Sequence, residues 1–288
     1  MNTKLKIAAA IAATLVSGLA SAAPIQMRID TGVIGPNFGS GAGSDAGTIT
    51  GNFEAFGFND FRAFSIYTPG APGTATIRDT NITGVLAGFG IAAPTYTETS
   101  IGNLSPLTPP HSMLARDTEG FSNSWGLVAQ YDLNGTIGFD GTNFTSPPSF
   151  STGSYDIWFD DYSNGLGMDT RVIGLTLTGS ALTLANLDLF FDVTFALPGF
   201  LLVEQGGSFV DASTLVGFNP AKLTARLDTN IDPPIPGAFN TLTATNDPNS
   251  RYRTTQLDGT IRPVPEPTSI ALLGIGLLGF AASRRKTA

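Results

Sequence analysis

Leu187, Leu189, Phe191, Val193, Phe195 and Leu197 alternate with Asp188, Asp192 and Thr194, a two-residue period held over residues 187–197. Successive strand side chains point to opposite faces, so this stretch predicts a strand with one buried and one wet face. Residues 171–178 and 221–227 alternate in the same way, and Tyr155, Ile157 and Phe159 mark a buried edge in 154–160. Phe53, Phe56, Phe58, Phe61 and Phe64 fit neither a strand nor a helix period, and predict core filling from two short strands. Outside the two ends, no run has helical spacing. Residues 23–90 are dense in glycine, which predicts short strands and long loops there. Asn134-Gly135 divides the β-type stretches 125–133 and 136–139, the signature of a hairpin turn. After the Pro-rich break at 231–237, residues 251–261 predict a last strand, or a hairpin through Asp258-Gly259. Half-buried strands punctuated by Gly, Asn and Asp predict an all-β fold, an antiparallel β-sandwich or jelly-roll-like body. No fixed-period repeat points to a solenoid or propeller.

The ends differ from this body. Lys4 and Lys6 precede an apolar run over 7–16, and small residues stand at Ala20 and Ala22, which predicts a helical signal peptide over 1–22 cut after Ala22. The expected body is 23–262, and a distinct tail occupies 263–288. The net charge of the whole chain is −8. Since Lys4, Lys6, Arg284, Arg285 and Lys286 all lie in the ends, the body alone is more acidic still, a poor partner for nucleic acid. The chain has no cysteine, which removes disulfides, thiol catalysis and thiolate metal sites. Its stability must come from core size and strand pairing.

In the tail, Val264-Pro265-Glu266-Pro267 is followed by an apolar stretch to Ala282 and then by Arg284, Arg285 and Lys286. Proline fixes φ and lacks a donor, so Pro265 and Pro267 hold a short extended segment open to another protein's active site. The apolar stretch is shorter than the roughly 20 residues that cross a bilayer comfortably. The terminal basic cluster stays cytoplasmic and stops transfer. This tripartite order resembles the PEP-CTERM sorting signal. The resemblance implies Pro265, Glu266 and Pro267 as recognition residues, 269–282 as a short membrane helix and Arg284, Arg285 and Lys286 as the stop. It also implies a Gram-negative bacterium, an exosortase-like membrane enzyme as partner, transient residence in the inner membrane, and release to the cell surface or extracellular matrix, where exopolysaccharide becomes a partner. In the body, Tyr155-Asp156-Ile157-Trp158-Phe159-Asp160-Asp161, Ala196-Leu197-Pro198-Gly199-Phe200 and Asp228-Thr229-Asn230 are similar to stretches in flocculation-associated members of that class.

Catalytic constellations are scarce. His111 is the only histidine and follows Pro109-Pro110 in a loop pattern, so neither a multi-His zinc site nor a Cys/His dyad can be built. Gly274, Gly276 and Gly279 spell the dinucleotide fingerprint, but the chain ends too soon for the required βαβ unit. Asp160 and Asp161 are adjacent, which puts them on opposite strand faces and not astride one glycosidic bond. Calcium is the one cofactor the pattern allows: Asp160, Asp161, Asn164 and Asp169 crowd a Gly-containing loop, and Asp132, Asn134 and Asp140 flank the predicted turn. Ordinary Asx-turn chemistry is the competing explanation of both. Trp125, Trp158, Tyr155 and Tyr162 are candidates either for sugar stacking or for core. The expected role is therefore non-enzymatic, structural or adhesive in biofilm or floc, with a carbohydrate- or calcium-binding module second and a secreted hydrolase third.

Overall fold

The structure is a computed structural model that describes residues 24–35, 38, 47–105, 118–183, 186–216, 223–232 and 237–264. Within it, residues Ile25–Val264 form one compact unit. The signal segment with Ala20 and Ala22, the loop with His111, and the tail with its membrane segment lie outside the described residues.

In chain order the strands are β1 (Met27–Ile29), β2 (Ala55–Pro69), β3 (Gly73–Thr80), β4 (Ser100–Ile101), β5 (Asn103–Ser105), β6 (Trp125–Phe139) and β7 (Ser149–Asp161). They continue as β8 (Thr170–Thr183), β9 (Asn186–Ala196), β10 (Leu201–Gln205), β11 (Ser208–Asp211), β12 (Thr224–Asp232), β13 (Thr243–Ala244) and β14 (Arg251–Val264). One short helix, α1 (Thr83–Gly88), follows β3. The body is all-β and antiparallel, as the alternation predicts. Its eight long strands pair in sequence order, β2-β3-β6-β7-β8-β9-β12-β14, and β14 also pairs with β2. The sheet therefore closes on itself, and its opposing walls pack across a shared interior. A smaller sheet, β1-β10-β11, supplies Met27, Ile29, Leu201 and Val203 to the same core.

The inward rows are apolar: Ala75 and Ile77 on β3, Ile157 and Phe159 on β7, Leu187, Leu189 and Phe191 on β9, Ala225 and Leu227 on β12. Trp125 anchors this core. It is fully buried, stacks on Phe159 at 5.1 Å, meets Phe121 edge-on at 4.9 Å, and donates its ring N–H to the Glu119 carbonyl at 2.7 Å. The outward rows carry cross-strand ion pairs. Arg78 grips Asp132 through two bonds of 2.6 and 2.7 Å, Arg171 meets Asp156 at 2.6 Å, and Arg226 meets Asp188 at 2.7 Å. At such partly exposed positions each pair contributes only about 0.2–1 kcal/mol. The pairs still fix the polarity of the outer face, which is the reverse of a lipid-facing barrel.

The two Asx-Gly pairs do not turn the chain. Residues 125–139 are one strand, and Asn134-Gly135 lies where β7 carries an extra residue opposite β6. A Cβ on Gly135 would strike the Ser149 carbonyl. Similarly, β14 runs straight through Asp258-Gly259, where β2 places two residues opposite one. Glycine marks close backbone approach at a bulge as readily as it marks a turn, and here it does the former. The same bulge explains the phenylalanine series. Phe56 and Phe58 precede it and Phe61 follows it, so one 15-residue strand, and not two short ones, keeps all three inward. Phe64 and Ile66 then face outward, where Leu86 of α1 and Ile91 cover them in a second small cluster. In β9 an irregularity opposite Gly174 flips the phase, so Ala196 is buried and Phe195 leaves the core side to lie 4.8 Å beneath the Arg171 guanidinium.

Gly259 therefore supports closure. We expect Gly259→Ala to lower stability by about 1–3 kcal/mol, because the added methyl meets the Asp228 carbonyl and the Phe58 ring. Gly179→Ala, with open space around it, should stay within about 0.5 kcal/mol. Urea midpoints of the two variants, measured side by side, check this contrast.

Candidate functional site

The acidic loop after β7 comes together, but as a hydrogen-bonded turn. Asp160 is fully buried although it shares the strand face of Asp156 and Trp158 on β7, and its Oδ1 accepts from the Gly167 N–H at 3.0 Å. Asp161 lies on the other side of the strand, where its Oδ1 accepts from Ser163 N–H at 2.9 Å. Asp169 Oδ2 accepts from both the Asp161 N–H and the Asn164 amide, at 2.7 and 3.2 Å. These contacts are Asx-type bonds within the loop, while Asp160 Oδ2 is shielded without a hydrogen-bond partner. The second acidic group is dispersed. Asp132 is bound to Arg78 on the outer wall, and Asp140 accepts from the N–H groups of Thr142 and Asn143, which hold its carboxyl below the usual range. Among the described residues, no group of three or more His, Asp or Glu side chains is arranged to hold a metal ion. Of the four aromatics considered for sugar stacking, Trp125 and Tyr155 are core residues, while Trp158 and Tyr162 are half-buried.

The interior holds a polar row that the sequence reading passed over. Register places Arg253 of β14 beside Ser65 of β2, and Ser65 beside Asp79 of β3. Asp79 shares its face with Ala75 and Ile77, so a carboxylate on an otherwise apolar stripe was the available signal. Although the residue as a whole is half-buried, Asp79 Oδ1 is shielded from solvent without a hydrogen-bond partner, as are the hydroxyls of Tyr131 and Tyr155. All three side chains line a cavity of about 30 Å³ whose other walls include Phe58, Phe61 and Leu189. That is room for one or two water molecules and not for an organic ligand. Burial pushes the Asp79 carboxyl up to about 6, against the opposing pull of the Ser65 hydroxyl and the Arg253 guanidinium. Burial likewise raises the phenols of Tyr67, to about 12, and of Tyr131 and Tyr155. With Ser65 almost fully buried between Arg253 and Asp79, the row is a buried polar network at the closing seam.

The remaining feature is where β14 ends. Its last residues, Pro263 and Val264, pair with Ala225 and Thr224 of β12, and the chain continues directly into Pro265-Glu266-Pro267. Residues 263–286 match the PEP-CTERM protein-sorting motif. That motif indicates export and exosortase sorting through a membrane-anchored intermediate in Gram-negative bacteria. The match covers the sorting motif alone. No curated protein and no solved structure matches the chain, so the flocculation-like stretches of the body gain no support. The sorting motif and the last strand overlap at Pro263 and Val264.

The interior row yields a pH dependence. The folded carboxyl of Asp79 titrates near 6, above its ordinary value of 3.8, so its contribution is fully present below about pH 4 and is lost as pH rises through 6. A shift of this size corresponds to roughly 3 kcal/mol, felt above neutrality. Asp79→Asn should therefore be the more stable form at pH 8 and lose that advantage by pH 4.5. Chemical denaturation of both forms at the two pH values checks the crossover.

Proposed function

We propose that the body is a structural or adhesive component of the cell surface or exopolysaccharide matrix, delivered by exosortase-type sorting and acting without catalysis or a resident cofactor. The sorting motif at 263–286 carries this reading, because it selects the route by which the protein leaves the cell. The described body agrees with it in two respects. The chain is acidic overall and its outer walls carry Arg–Asp ion pairs, as suits a hydrated polymer matrix, and its largest aromatics are spent on a closed core and not displayed in a cleft. Its buried polar row opens onto a cavity of water size, which leaves no room for an organic substrate beside Ser65 and Asp79.

Sorting is tested by separating recognition from anchoring. Replacing Pro265, Glu266 and Pro267 together with Ala leaves the apolar stretch and the basic stop intact. Unprocessed protein should then accumulate in the membrane fraction. Deleting 268–288 removes both, and the protein should reach the periplasm or medium without passing the sorting step. Fractionation and intact mass, with and without the exosortase gene, read both outcomes. A triple-Ala variant that is released and processed like the unaltered chain would reduce the tail to a plain anchor. The matrix role is tested by deleting the gene and measuring floc or biofilm cohesion, which should fall.

A further inference from the structure

The overlap between the last strand and the sorting motif has a mechanical implication, which rests on the sorting reading above. An enzyme that reads Pro265-Glu266-Pro267 must take the chain in an extended form, with residues on both sides of the motif free of other pairing. Yet Val264 is bonded to Pro265 and is itself in the ladder, opposite Thr224. Three residues beyond Val264 reach at most about 11 Å, so no slack separates the folded body from the motif.

The end of β14 is built differently from its middle. From Gln256 to Ile261 the strand is paired on both sides, with β12 and with β2. Pairing with β2 stops at Ile261 opposite Phe56, so Arg262, Pro263 and Val264 are held by β12 alone. Pro263 has no N–H to give to either neighbour. The Thr224 hydroxyl reaches the Val264 carbonyl only at 3.3 Å. What holds the segment is Pro263, which is buried and lines a cavity of about 30 Å³ with Ala225, Ile261 and Met27. This is a short, one-sided strand end on a closed barrel, and it can open without breaking the closure at Ile261.

We propose that Arg262, Pro263 and Val264 are a detachable strand end that unpairs from β12 when the sorting enzyme engages the motif, so that the folded body itself limits the rate of processing. The enzyme's partner surface is then an extended segment beginning at Arg262, and not the tripeptide alone. Engagement is reduced by the fraction of time the segment is paired.

Two alterations of the full chain test this in membranes containing the exosortase. The first places eight Gly and Ser residues between Val264 and Pro265, which frees the motif from the strand and should speed tail removal roughly tenfold. The second is Thr224→Cys with Val264→Cys, a staple across directly opposed positions in a chain that has no other cysteine. Oxidised, it should slow tail removal at least several-fold. Reductant should relieve the block, and so should adding the eight-residue insertion to the stapled chain, which separates hindered access from misfolding. A stapled chain processed at the unaltered rate overturns the proposal. An insertion that leaves the rate unchanged does so as well, and decides alone if the staple does not form. Should the unaltered chain not be processed, or the triple-Ala chain be processed equally, the sorting reading falls and this inference with it. If sorting is intact and only the two alterations are silent, the sorting reading stands and the detachable strand end does not.

Discussion

Pairing between β14 and β2 is the constraint on which the rest of the structure depends. The two strands are far apart in sequence, β2 ending at Pro69 and β14 beginning at Arg251, and between them six others meander in order, so closure converts a long open sheet into one without free long edges. With no disulfide available, that saturation of backbone donors and acceptors, together with the apolar rows it encloses, is the source of stability. Closure also demands bulges. At Gly259 and Gly135 the neighbouring backbone approaches too closely for a side chain, and in β2 the extra residue allows phenylalanines of both phases to face the same core.

A closed barrel filled with aromatic and aliphatic side chains leaves little interior volume, and the two cavities described above are of water size. Among the described residues, the acidic and aromatic side chains singled out in the sequence are engaged in separate places. Asp160 is buried and binds a loop N–H, Asp132 is engaged by Arg78, and Trp125 and Tyr155 are core. The one polar row inside, Arg253, Ser65 and Asp79, joins the closing strand to the first two strands of the barrel, so its protonation state bears directly on the closure seam.

Function in this chain is divided between its parts. The sorting motif is a local signal, read as a short segment by another protein, and needs no folded context to be legible. The body contributes the cargo and, through the strand that runs into the motif, the mechanical condition under which the signal is offered. The outer wall of the body is laced by Arg–Asp pairs between neighbouring strands.

Local chemistry was enough to determine three things. Period-two alternation specified strands because side-chain direction in an extended chain depends only on position, so β7, β8 and β9 were legible as half-buried strands. The order of Pro-Glu-Pro, apolar stretch and basic cluster specified the sorting tail, because each element acts through its own composition. Absence of cysteine excluded thiol chemistry outright. Tertiary structure alone decided the rest. Whether Asn134-Gly135 and Asp258-Gly259 turn or bulge depends on which strand lies alongside, and that neighbour comes from elsewhere in the chain. The same is true of Phe195, whose phase is reset by an irregularity opposite Gly174, and of Asp79, whose charge is costly only because Tyr131, Tyr155 and Leu133 close over it. Burial and register are properties of pairs of distant segments, and no single stretch of sequence contains them.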